Sequence, residues 1–144
     1  VVIGFGGIAG HCFVLQPRGT TGYCHRIICA QDYSAVTAAC MLVKKSAFDE
    51  VGGLTEELAV AFNDIDFCMK LRQAGYLIVY NPYAELYHYE SKSRGLEDTP
   101  EKVARFNKEM QIFERRWPDI MRDGDPYYNP NLTLKSQDFS LRRI

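Results

Sequence analysis

Between Asn63 and Pro82 the chain changes its hydrophobic period, and that change narrows the folds open to it. Asn63 or Asp64 occupies a preferred helix N-cap position, the helical pattern runs to Ala74, and Gly75 suits the left-handed residue that follows a helix. Leu77 to Tyr80 then form an apolar run closed by Asn81-Pro82, which reads as a buried strand. A helix that hands over directly to a short strand belongs to an α/β domain, with some parallel pairing expected.

The flanking segments repeat that logic. Upstream, Ala35 to Val43 (AVTAACMLV) is a nearly continuous apolar run, read as a strand covered on both faces. Ser46 and Asp49 have capping-box spacing, Phe48 and Val51 belong to one helical segment, and Gly52-Gly53 ends it. Downstream, Tyr83 to Tyr89 alternate and predict a further strand with Ala84, Leu86 and His88 on one face. Thr99 is the expected N-cap of a long helix with Pro100 at its first position. Val103, Phe106, Met110, Phe113 and Trp117 form its apolar stripe, and Pro118 stops it. The last segment has turn chemistry and no period, so a tail that wraps over the surface or reaches a neighbouring domain is expected there. The chain is thus divided at 1–118, an α/β unit with a mixed sheet flanked by helices, and 119–144, an irregular tail.

Composition removes several function classes. With 144 residues, 47% hydrophobic and 24% charged, one ordinary core is expected. Seventeen basic and 18 acidic residues leave a net charge of -1, which provides no global field for nucleic acid or an anionic membrane. Five cysteines without a C-x-x-C pair favour reduced thiols and a cytoplasmic setting over a disulfide framework or zinc ribbon. No apolar run reaches the ~18 residues that span a bilayer. Because the chain opens on a strand without methionine, it reads as a fragment of a longer protein. The GFGGIAG segment imitates a dinucleotide-binding turn, but Pro17 arrives where the helix should run and no acidic residue follows at the required distance. A structural glycine loop is expected instead. His11, Cys12, Cys24 and His25 match no familiar zinc spacing.

Three places offer chemistry. Asp64 and Asp66 form a D-x-D at a helix start. At about 100° per residue, Asp64 falls near the apolar arc of Phe67, Cys68, Leu71 and Ala74, and Asp66 falls with Lys70 and Gln73 on the polar side. Asp64 therefore fits either a general base aimed at the domain or a plain cap, while Asp66 fits an ion pair with Lys70. His88 at a strand end fits either a hydrogen-bonded side chain or a ligand. The Ser91-Lys92-Ser93-Arg94-Gly95 loop after it has the hydroxyls and cations that suit phosphate oxygens, or an ordinary solvated surface. A second D-x-D, Asp123 and Asp125, lies beside Gly124 and Pro126 and reads as a turn.

The order TAACMLVKKSAFDEVGGLTEEL, AFNDIDFCMKLRQAGYLIVYNPYAELYH and ESKSRG resembles the C-terminal half of the catalytic domain of bacterial family 2 glycosyltransferases, which have the GT-A fold. The likeness covers about Ser34 to Gly95, and the DPYYNPNLTL tail resembles ends seen in such proteins. It implies a nucleotide-sugar transferase with inverting chemistry, Asp64 as the base, and His88 as a ligand to a divalent cation, Mg or Mn, on the donor diphosphate. Asn63 stands where the family often has glutamate. The family's nucleotide-binding half, with its own aspartate motif, has no counterpart here, so the cation and donor would need that half and the fragment alone is expected to be inactive. Within this frame Lys92, Ser93 and Arg94 are expected at the donor diphosphate. Glu56, Glu57 and Asp66 are expected near the acceptor, a hydroxyl of a cell-surface glycan. The expected setting is the cytoplasm, at the inner face of the membrane through other parts of the protein, with self-association of the cut fragment. A non-catalytic glycan-binding or assembly module is the alternative, served by nine tyrosines and one tryptophan.

Overall fold

The computed structural model describes residues 1–89 and 99–143. Strand β1 (Val2–Ile3) pairs antiparallel with β2 (Ala9–Gly10), Val2 opposite Gly10 and Ile3 opposite Ala9. The glycine segment is the turn between them. Gly4, Gly6 and Gly7 all take positive φ, and the Gly4 N–H donates to the Ile8 carbonyl at 2.7 Å. The second sheet joins β3 (Gln31–Asp32) to β4 (Val79–Tyr80), also antiparallel. The described residues therefore form a small α/β structure with two two-stranded antiparallel sheets, and the expected parallel pairing is absent among them.

Helix α1 (Lys45–Glu50) is short and ends where Gly52 and Gly53 take positive φ. Its expected capping box does not form. Ser46 lies inside the helix, Lys44 is the cap residue without a side-chain bond, and Asp49 pairs with Lys45 one turn back. Helix α2 (Asn63–Gln73) is the centre of the molecule, burying Ile65, Asp66, Phe67, Cys68, Met69 and Leu71. Five consecutive buried residues mean that it is covered on more than one side. Gly75 follows with φ of 89°, and the Tyr76 N–H reaches back to the Leu71 carbonyl as the C-terminal signal predicts.

Helix α3 (Pro100–Arg116) starts as its sequence predicts, with the Thr99 hydroxyl accepting the Lys102 N–H and Pro100 in the first turn. Its stripe is buried only toward the C-terminal end. Val103 and Phe106 remain partly open to solvent, while Glu109, Ile112 and Phe113 are buried. Pro118 ends α3 and begins α4 (Pro118–Asp123). The main core gathers α2 with Ile3, Ile8, Ala35, Ala47, Ile78 and Phe113, and Trp117 and Met110 pack on its edge. A second cluster sets Val2 and Phe5 against Tyr128, Leu132 and Phe139 from the C-terminal segment.

Three expected strands change. Ala35 to Val43 is not a strand. The chain is extended to Thr37, turns tightly over Ala38–Cys40 with the Thr37 hydroxyl accepting the Ala39 N–H, and leaves Leu42 fully exposed. Its polar backbone is met by α2 side chains, since Asp64 accepts the Ala38 N–H and the Cys68 thiol lies 3.7 Å from the Val36 carbonyl. Of Leu77 to Tyr80 only Val79–Tyr80 is a strand, with Ile78 buried before it and Leu77 and Val79 exposed. Tyr83 to Tyr89 is exposed and forms no strand, because Asn81 caps a turn there by accepting the Tyr83 and Ala84 N–H groups.

Candidate functional site

The D-x-D at the start of α2 divides its two carboxylates between a pocket and the interior. Asp64 is half-buried and borders an open pocket of about 150 Å³ together with Ala9, Gly10, His11, Thr37, Phe62 and Ile65. One carboxylate oxygen accepts the Ile65 N–H at 2.9 Å and the other accepts the Ala38 N–H at 3.0 Å. It is not the helix cap. That position belongs to Phe62, which holds a left-handed backbone with φ of 62° and makes no side-chain cap bond. Two backbone donors therefore fix the Asp64 carboxylate at the pocket wall, and each oxygen keeps a further lone pair for a hydroxyl. The arrangement can receive a proton from a group placed in the pocket. A pocket for a whole drug-sized ligand is roughly 300–1,000 Å³, so this one accommodates part of a substrate.

Asp66 corrects the helical-wheel expectation. It is fully buried, not on a polar face. One oxygen receives Arg116 Nε and Trp117 Nε1, each at 2.8 Å, and the other receives the Thr55 hydroxyl at 2.6 Å. Lys70 Nζ lies 3.7 Å away, the i,i+4 partner that the sequence predicts, and also donates to Gly53 and Thr55. Burial alone would raise the Asp66 pKa, but the bonds from Thr55, Arg116 and Trp117 outweigh it and hold the carboxyl below its ordinary value. The wheel failed because it assumes one covered face, whereas the end of α3 covers the other face of α2. With both oxygens engaged in the interior, Asp66 braces three segments and presents no surface to an acceptor.

Glu56 and Glu57 are exposed on the loop before α2. His88 is exposed on the segment after β4. Lys92, Ser93 and Arg94 lie outside the described residues. The loop before α2 is pinned at its other end by Glu109, whose carboxylate accepts the Val60 and Ala61 N–H groups at 3.3 and 2.6 Å. Next to Asp64, the Cys68 thiol is pushed up to about 11, chiefly by burial, so it stays protonated and is a poor nucleophile or ligand.

A divalent cation finds little to hold it here. Among the described residues no three His, Cys, Asp or Glu side chains stand together as a ligand group, and His88 by itself offers one donor. The described donor set does not fit a cation, so no step is routed through one. The residues that the sequence did not single out are Thr37 and Phe62 at the pocket, Thr55 and Arg116 around Asp66, and Glu109, while Trp117 was expected in the apolar stripe of α3 and not as a donor to Asp66. The Arg116-Trp117 pair at the end of an amphipathic helix was the one legible signal, since a guanidinium and an indole N–H side by side need an acceptor. Nothing local marks the others.

Comparison with known proteins finds relatives in sequence. The chain is 57% identical over 142 residues to an uncharacterized protein of Sinorhizobium fredii, covering 98% of this chain and 16% of that protein. It is 34% identical over 145 residues to the O-antigen biosynthesis protein RfbC of Myxococcus xanthus, covering 99% of this chain and 11% of that protein. It is 37% identical over 78 residues to the N-acetylglucosaminyl-diphospho-decaprenol L-rhamnosyltransferase of Mycobacterium tuberculosis, covering 54% of this chain and 25% of that enzyme. The chain thus spans a quarter or less of the length of each of these relatives. No family model and no solved structure matches it. No helix among the described residues is long and apolar enough to cross a membrane.

Proposed function

We propose that this chain is the acceptor-side part of an inverting, family 2-like glycosyltransferase of GT-A fold, moving a sugar from a nucleoside-diphosphate sugar to a hydroxyl of a cell-surface glycan. The observation that carries the reading is Asp64, a carboxylate clamped by two backbone N–H groups on the wall of a pocket. The names of two relatives, an O-antigen biosynthesis protein and a rhamnosyltransferase, support the reaction class. In the proposed step the acceptor oxygen attacks the anomeric carbon while its proton passes to Asp64. The bond from that carbon to the diphosphate oxygen breaks, and the electron pair leaves with the diphosphate. Glu56 and Glu57, exposed beside α2, are assigned to acceptor hydroxyls, and Asp66 is assigned to bracing. On the donor side, Lys92, Ser93, Arg94 and His88 are assigned to the diphosphate, and any Mg or Mn ion would draw most of its ligands from outside this chain. The small pocket supports a working unit larger than these residues, and the setting we assign to that unit is the cytoplasm, at the inner face of the membrane.

Substitution of Asp64 by Asn in the full-length protein that carries this sequence is the test. Losing a general base lowers turnover by about 100- to 10,000-fold. A loss in that range, with a melting temperature within a few degrees of wild type, is the expected result. Transfer at near wild-type rate would assign Asp64 to structure alone.

A further inference from the structure

From its placement in the fold, we infer that Glu109 is a positioning residue for Asp64. Glu109 is 2% exposed and lies in the middle of α3, on a surface where Phe106 stands three residues before it and Phe113 four residues after. Those three side chains grip one short stretch of chain. The Glu109 carboxylate takes the consecutive N–H groups of Val60 and Ala61, one on each oxygen. The ring of the next residue, Phe62, lies 5.2 Å from Phe106 and 6.0 Å from Phe113. Phe62 is held in the left-handed region that a bulky side chain rarely adopts, a conformation that persists only when its surroundings impose it. Here the surroundings are these three α3 residues.

Two residues beyond Phe62 is Asp64. The backbone turn at Phe62 sets the entry angle of α2, and that angle sets whether Asp64 reaches the Ala38 N–H. A carboxylate suits this task because it offers an acceptor to each of two adjacent N–H groups without a competing donor. Glutamine at 109 would keep the shape but leave one N–H facing an amide NH₂. The inference rests on reading Asp64 as the reacting carboxylate, but its test reads where Asp64 is held and does not require transfer activity.

Amide hydrogen exchange followed by NMR on the nitrogen-15-labelled chain, wild type against Glu109→Gln, makes the test. Exchange at Ala61 and at Ala38 should both speed up by about tenfold, the scale of one lost charge-assisted hydrogen bond, while Phe67 and Leu71 in α2 keep their protection. Faster exchange at Ala61 with Ala38 unchanged would overturn the inference, and so would an equal increase at all four amides. Phe106→Leu, which trims a ring already 38% exposed, provides a variant that keeps the fold if the glutamine variant does not. It should speed Ala38 in the same direction by a smaller factor. An unchanged Ala38 in that variant would likewise overturn the inference.

Discussion

The chain contains the same short pattern twice, at Asp64-Ile65-Asp66 and at Asp123-Gly124-Asp125, and the two regions use it in parallel but unequal ways. In each, the second aspartate is buried and ties together segments far apart in sequence. Asp66 joins α2 to the end of α3 and to Thr55. Asp125 accepts the Ile3 N–H at 2.9 Å, the Ser34 hydroxyl at 2.6 Å and the Tyr127 N–H at 2.9 Å, which fastens the C-terminal segment to β1. The first aspartates differ. Asp64 stands on a pocket between two backbone donors, whereas Asp123 lies at the end of α4, 62% exposed and paired with its neighbour Arg122. A D-x-D spacing therefore carries no fixed chemistry. What covers each oxygen decides between a brace, a surface ion pair and a candidate base.

Removing the braces separates the two regions most sharply. Asp66→Ala strips a buried carboxylate from Arg116, Trp117 and Thr55, and the expected loss is about 3 kcal/mol. That is the low end for a broken buried pair, since Arg116 keeps 36% exposure and can rehydrate. Urea unfolding measures it. Asp125→Ala leaves the Ile3 N–H and Ser34 hydroxyl short of an acceptor, with the Arg72 guanidinium linked only through the Ser34 oxygen, and should cost about 1–3 kcal/mol in the same experiment. A larger loss at Asp125 than at Asp66 would reverse the ranking of the two braces.

Acid titration sharpens the contrast further. The Asp66 carboxyl is held below its ordinary pKa in the fold, so its stabilisation is complete above the unfolded value of about 3.9 and is lost as pH falls through the folded value. The urea midpoint of wild type should therefore drop more steeply below about pH 4 than that of Asp66→Asn, and the gap between them should narrow with acid. A gap of constant size across that range would show that the ion pair contributes nothing titratable. The first aspartates should matter less to folding. Asp64→Asn gives up one of two backbone acceptors, an expected cost of about 1 kcal/mol by urea midpoint, which is small beside its expected effect on turnover. Asp123→Asn disturbs only an exposed pair and should stay within about 0.5 kcal/mol of wild type, measured the same way.

Local signals set several element ends but not every cap: Ser46 and Asp49 form no capping box, and Phe62 rather than Asn63 or Asp64 caps α2. Thr99-Pro100 began a helix, Gly52-Gly53 and Gly75 ended two, Pro118 stopped α3, and the glycine loop after Ile3 became a structural turn. These outcomes depend on backbone torsions and on neighbours within a few residues, which sequence order states directly. The apolar arc of α2 aimed Asp64 at the domain, where it is half-buried, but the same wheel aimed Asp66 outward, where it is fully buried.

The tertiary structure decided what lies on the far side of each element. Ala35 to Val43 carried strand-forming residues, yet α2 side chains took its backbone hydrogen bonds, so the segment turned instead of pairing. Asp66 lay on the polar arc, yet the end of α3 covered that arc with Arg116 and Trp117, about 50 residues later in the chain. Glu109 had no local mark at all, since its partners are two backbone N–H groups 48 and 49 residues earlier. A residue's type limits what bonds it can make, but the partner that completes a buried carboxylate is brought by chain topology, and spacing along one element contains no record of it.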